Sequence, residues 1–97
     1  MEKILHLTLK KKWFDMILAG HKWEEYREIK PYWDKRFIGR VYDIVRFKNG
    51  YGKDVPTIDL EWKGCHKGYG MQKHGAPVGK EVYVITLGRL MESSNIS

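Results

Sequence analysis

Residues Gly20 to Arg27 read Gly-His-Lys-Trp-Glu-Glu-Tyr-Arg, a Gly-x-Lys-x-x-Glu-x-Arg pattern that brings Lys22, Glu25 and Arg27 close together in the chain. Two kinds of chemistry follow from these residue types. As an acid–base couple, a desolvated Glu25 takes a proton while Lys22 or Arg27 holds a phosphate or a developing oxyanion. Without turnover, the same three groups bind phosphate and the edge of a base. Alternate side chains of a strand share a face, so Glu25, Arg27 and Trp23 are expected together. Lys22 swings to the same side as the chain leaves the turn at Gly20. The plain alternatives are a solvated surface pair or a buried ion pair that only closes the fold.

Other residues are candidates to extend this site. Glu61 supplies a second carboxylate from a later strand. Lys10-Lys11-Lys12 lies beside the motif, and cations at a helix start are electrostatically misplaced unless they serve an anion. Lys11, Lys12, Asn49 and Tyr69 are assigned to the rim of the cleft. Tyr26, Trp33, Tyr51 and Tyr69 are candidates for base stacking, whereas Trp13, Phe14, Trp62 and Tyr83 fall on apolar faces and belong to the core. Cys65, His66 and His74 match no common zinc spacing, so no metal is expected. The glycines of Gly64–Gly70 lack the Lys-Ser/Thr of a phosphate loop, and no cofactor motif is present.

The elements that must position these groups are legible as patterns. Lys3 to Leu9 alternates as a strand. Lys11 to Ala19 carries Trp13, Phe14, Ile17 and Leu18 at helical spacing, with Gly20 as its C-terminal cap. His21 to Ile29 is the motif strand, and Pro31 interrupts it before a short helical turn over Tyr32 to Ile38. Val41 to Lys48 and Thr57 to Lys63 are strands joined by a turn at Asn49–Asp54. Gly64 to Lys80 is irregular, Glu81 to Leu90 is the last strand, and residues 91–97 form a polar flexible tail. The expected fold is α+β: a small, mostly antiparallel β-barrel of about five to six strands with one or two short helices, in one domain over residues 1–90.

Eighteen Lys and Arg against twelve Asp and Glu give a net charge of +6, which favours a polyanionic partner. No apolar run reaches the roughly 20 residues of a membrane span, and no signal peptide is evident. The single Cys65 excludes an intrachain disulfide and fits a reducing, cytoplasmic setting.

The chain resembles the ASCH domain of the PUA-like superfamily over Lys3 to Leu90. The resemblance rests on Leu7-Thr8-Leu9-Lys10, Trp13-Phe14-Asp15-Met16-Ile17, Ala19-Gly20-His21-Lys22 and Glu25-Tyr26-Arg27. Asp43 to Gly50 and Val84 to Gly88 add to it. It implies a pseudo-barrel whose cleft, lined by the motif, binds RNA or a nucleotide-like ligand. In the acetylcytidine amidohydrolases of that family, a Thr stands three residues after the motif Lys and a carboxylate comes from another strand. Here Lys22 matches the Lys, but Glu25 occupies the Thr position, which removes a hydroxyl nucleophile. The leading expectation is therefore RNA or nucleotide binding by Lys22, Glu25, Tyr26 and Arg27. The second is a small hydrolase, acting on a modified nucleoside or RNA, with catalytic Lys22, Glu25 and Glu61. A protein partner is the third class.

Overall fold

The structure, a computed structural model, describes residues 2–96. Its elements run β1 (Ile4–Thr8), α1 (Lys11–Leu18), β2 (Glu24–Arg27), α2 (Pro31–Phe37), β3 (Ile44–Lys48), β4 (Thr57–Gly68), a 3-10 turn at Gln72–His74 and β5 (Val82–Ser94). The five strands form one mixed sheet in the order β1-β3-β4-β5-β2. β1 and β3 run parallel, and every other pairing is antiparallel.

The α+β class and the two short helices agree with the sequence reading, but the closed barrel does not. β1 and β2 stand at opposite ends of the strand order and share no backbone ladder. The sheet is a half-barrel with a seam. Its curvature comes from β4 and β5, whose register shifts three times between Asp59 and Cys65; each such irregularity bends and twists the pair.

The core fills the concave side. Leu5, Leu7 and Leu9 point inward from β1 and its exit, as strand alternation requires. Phe14 and Ile17 of α1, Val45 and Phe47 of β3, Ile58 and Leu60 of β4, and Ile85 and Leu87 of β5 complete it. Trp13 and Trp62 pack on its margin and Tyr83 lies inside, as expected of them. On the other face of the sheet, Arg46 clamps the buried Asp59 through two bonds of 2.8 and 2.9 Å. No helix among the described residues is long and apolar enough to cross a membrane.

Two further expectations are corrected. β4 runs through Gly64 to Gly68, so the irregular segment shortens to residues 69–81. β5 continues to Ser94, with Ser93 opposite Ile58 and Ser94 opposite Thr57. Most of the expected tail is therefore strand; Ser97 lies outside the described residues.

The turn that launches the motif is built by α1. Gly20 N–H bonds the Ile17 carbonyl at 3.0 Å and His21 N–H bonds the Met16 carbonyl at 2.8 Å, the paired closure of a Schellman motif. Gly20 takes φ +79°, a left-handed conformation that costs an L side chain about 1–2 kcal/mol. The chain then reverses and places Lys22 two residues before β2. Gly20→Ala is expected to destabilise the fold by about 1–2 kcal/mol, read as a lower urea midpoint with an unchanged slope.

Candidate functional site

Glu25 and Arg27 lie on one face of β2, opposite Ile85 and Tyr83 of β5. Between them they hold two cations on one carboxylate. Lys22 Nζ stands 3.3 Å from Glu25 Oε1, and Arg27 Nη2 donates to Glu25 Oε2 at 2.7 Å. Glu25 is buried and the Lys22 side chain has no exposure at all. Lys22 donates a second bond, 2.8 Å, to the His74 carbonyl, and its ammonium lies 4.5 Å from the Tyr26 ring centroid. Burial pulls the Lys22 amine below its ordinary value, and Glu25 opposes that pull.

Tyr26 points to the opposite side of β2. Its hydroxyl donates to Glu24 Oε1 at 2.8 Å and accepts from Met71 N–H at 3.1 Å. Burial pushes its phenol up to about 12. The ring lies so close to the backbone of Gly70 that a Cβ there would fall 2.4 Å from a ring carbon, so only glycine fits. Residues 69–81 are thus a strap fastened across Lys22. Met71 and His74 bond to the motif, and Ala76 is buried with Tyr26, Val82 and Val84.

Arg27 bridges the seam. Its Nη2 also donates to the Thr8 carbonyl of β1 at 3.1 Å, joining the two end strands through a side chain. The guanidinium carbon stands 5.0 Å from the Trp33 ring centroid, an arrangement that favours cation–π attraction. Its Nε is buried without an acceptor among the described residues, so this arrangement leaves one donor unmet. Beside Arg27 the seam opens into a cavity of about 550 Å³, with Lys10, Trp33, Asn49 and Tyr51 on its walls.

The residues singled out from sequence divide sharply. Lys22, Glu25 and Arg27 come together as expected, but Lys22 is sealed and cannot touch a ligand in this conformation. Trp23 lies outside β2, 56% exposed, and does not join them. Tyr26 is a buried anchor and offers no free face for stacking. Glu61 accepts from the Arg89 N–H at 2.9 Å, and this bond holds its carboxyl below the usual range. It makes no bond to Lys22, Glu25 or Arg27 and lies two strands away from them. Lys11 is paired with Asp15 on the surface and Lys12 lies over Trp13; neither lines the seam. Tyr69 is exposed on the strap, away from the seam cavity. Asn49 does line it, with Nδ2 donating to the Leu9 carbonyl.

Lys10, His6, Thr8 and Tyr32 line the cavity and were not among the assigned site residues. The signal for His6 and Thr8 was their outward position in the β1 alternation. Among the described residues, no group of three His, Cys, Asp or Glu gathers as a metal would require. Burial pushes the Cys65 thiol up to about 11, opposite to what a reactive thiolate needs.

No protein-family model, curated protein or solved structure matches the chain.

Three outcomes follow for stability. Glu25→Gln removes the carboxylate shared by the buried Lys22 and the part-buried Arg27 and is expected to cost about 3–5 kcal/mol by urea unfolding. Asp15→Asn, which breaks the exposed Lys11 pair, is expected to leave the midpoint unchanged within error. The third concerns alkaline pH. Tyr26 rises from 10.0 to about 12 and Cys65 from 9.0 to about 11. Both stay protonated longer in the folded chain, so their stabilisation is full below about pH 9 and is lost as pH rises towards 12. Lys22, with its value lowered, acts in the opposite sense below 10.5. Tyr26→Phe is expected to flatten the fall in melting temperature above pH 10.

Proposed function

We propose that this protein is an ASCH-type domain that binds RNA or a nucleotide derived from it at the seam between β1 and β2. The observation that carries the reading is Arg27, pinned by Glu25 and the Thr8 carbonyl on the wall of a cavity of about 550 Å³. That volume lies within the usual range for small-ligand sites. Lys10, Trp33 and Tyr51 on the same walls combine cation and aromatic faces, the pairing by which single strands are held.

In this reading the motif divides its labour. Lys22 and Glu25 are positioning residues that fix Arg27 from inside, and Arg27 and Lys10 meet phosphate. Three features favour binding over hydrolysis. Lys22 is shielded by the strap, Glu25 is engaged by two cations, and Glu61 is occupied elsewhere. The net charge of +6 adds the long-range attraction that draws a polyanion to the seam.

The test is a titration of labelled single-stranded RNA at physiological salt with wild type, Arg27→Met and Lys10→Ala. Arg27→Met is expected to weaken binding at least tenfold. Lys10→Ala is expected to weaken it less and to lower the salt slope by about 1. The same RNA should remain intact on a denaturing gel. Absence of wild-type binding, or equal binding by all three proteins, overturns the reading, and cut RNA overturns the choice of binder over nuclease.

A further inference from the structure

The aromatic residues of the seam cavity are not equally available to a ligand. Tyr32, Trp33 and Tyr51 all line it. Trp33 is only partly exposed and packs against the core. Its ring stacks parallel to Phe37 at 5.6 Å, and the Arg27 guanidinium carbon stands 5.0 Å from its centroid. Trp33 is therefore engaged by its own neighbours. Tyr51 is 89% exposed in the turn between β3 and β4, and fixing so free a side chain on a ligand costs rotamer entropy. Tyr32 differs from both. It is 50% exposed, yet its ring is held in place. The Arg36 guanidinium carbon lies 3.7 Å from its centroid, and the Trp33 ring meets it at 87° with centroids 4.7 Å apart. Arg36 is fixed in turn, because its Nη1 donates to the Tyr32 carbonyl at 2.7 Å, one turn back in α2.

We infer that Tyr32 is the base platform of the seam, that Arg36 is the positioning residue that holds its ring, and that the ligand is a single strand with an unstacked base. The inference rests on the nucleotide-binding reading of the same cavity. It adds the residue that takes the base and the pairing state of the ligand. A ring that is ordered before binding loses little freedom when a base is laid on it. Arg36 supplies that order through a flat guanidinium, which stacks on an aromatic ring as a compact ammonium does not. Phosphate contacts from Lys10 and Arg27 carry no information about the bases. Tyr32 carries some, because inside a duplex both faces of a base are covered by its neighbours in the stack, and only an unstacked base has a face to offer. Stacking tolerates every base, so the platform selects a single strand and not a sequence.

The experiment titrates three fluorescently labelled ligands: a mixed-sequence RNA dodecamer, the abasic strand of the same length, and the duplex of the dodecamer with its complement. Wild type is expected to bind the RNA strand roughly fivefold or more tightly than the abasic one. Tyr32→Leu is expected to abolish that difference and to leave affinity for the abasic strand and the duplex unchanged. Tyr32→Phe keeps the ring and is expected to bind like wild type. Arg36→Lys keeps the charge without the flat stack. It is expected to weaken binding of the RNA strand by roughly threefold or more, with the same salt slope as wild type. Circular dichroism checks that each variant folds. Tyr32→Leu that binds the RNA strand like wild type, or loses all three ligands alike, overturns the platform; if Arg27→Met still loses the strand, the binding reading stands. Tyr32→Phe as weak as Tyr32→Leu overturns stacking in favour of the hydroxyl, and Arg36→Lys equal to wild type overturns the positioning role. If wild type binds no RNA strand, the binding reading fails and the platform falls with it.

Discussion

One carboxylate holds this structure's functional half together. Glu25 faces Lys22 on one oxygen and Arg27 on the other, and all three side chains are largely withdrawn from water. Each buried ion carries a desolvation cost of several kcal/mol, which is recovered only when partners surround it closely. The structure meets that demand from three directions. The strap contributes the His74 carbonyl to Lys22, β1 contributes the Thr8 carbonyl to Arg27, and the rings of Tyr26 and Trp33 face the two cations. Glu24, bonded to the Tyr26 hydroxyl, adds a second carboxylate that acts on Lys22. Arg27 Nε is buried without an acceptor among the described residues, so the cluster is not fully satisfied.

The seam is the counterpart of that cluster. A closed barrel would pair β1 with β2 along their whole length and leave no free edge. Here a single guanidinium replaces that ladder, so the edge of β1 keeps donors and acceptors of its own. An open edge invites pairing with other chains. Lys10 and Arg27 stand beside this one, and charge at an edge discourages such pairing. The cavity thus lies beside an end strand with Lys10 and Arg27 on its walls.

Local rules were readable in the sequence where neighbours in the chain decide the outcome. Gly20 as a cap, Pro31 at the start of α2 and the alternation of Leu5, Leu7 and Leu9 all follow from periodicity and backbone restriction. The shared face of Glu25 and Arg27 follows from the two-residue repeat of a strand. What could not be read was set by residues far apart in the chain. Lys22 looks like a solvated lysine until His74, 52 positions later, is folded over it. Gly64 and Gly68 look like loop punctuation, yet they sit in a bulged strand held by β5. Residues 91–94 show no apolar face because they are exposed on both sides, and their strand rests on backbone pairing with β4 alone. Closure of the barrel was not legible because the hydrophobic pattern of β1 and β2 names their inner faces and says nothing of which strand lies beside them.

The strap also explains why three charged residues in one motif need not act alike. Had residues 69–81 been absent, Lys22 would stand open beside Glu25, and an acid–base couple would be the simplest use of both. With Gly70 packed on Tyr26 and His74 bonded to Lys22, the amine is confined to the interior and meets Arg27 only through Glu25. Loss of Lys22 would release Glu25 to Arg27 alone and shift the guanidinium that spans the seam. The lysine therefore holds the cluster from a sealed position, and the outward face of the motif belongs to Arg27.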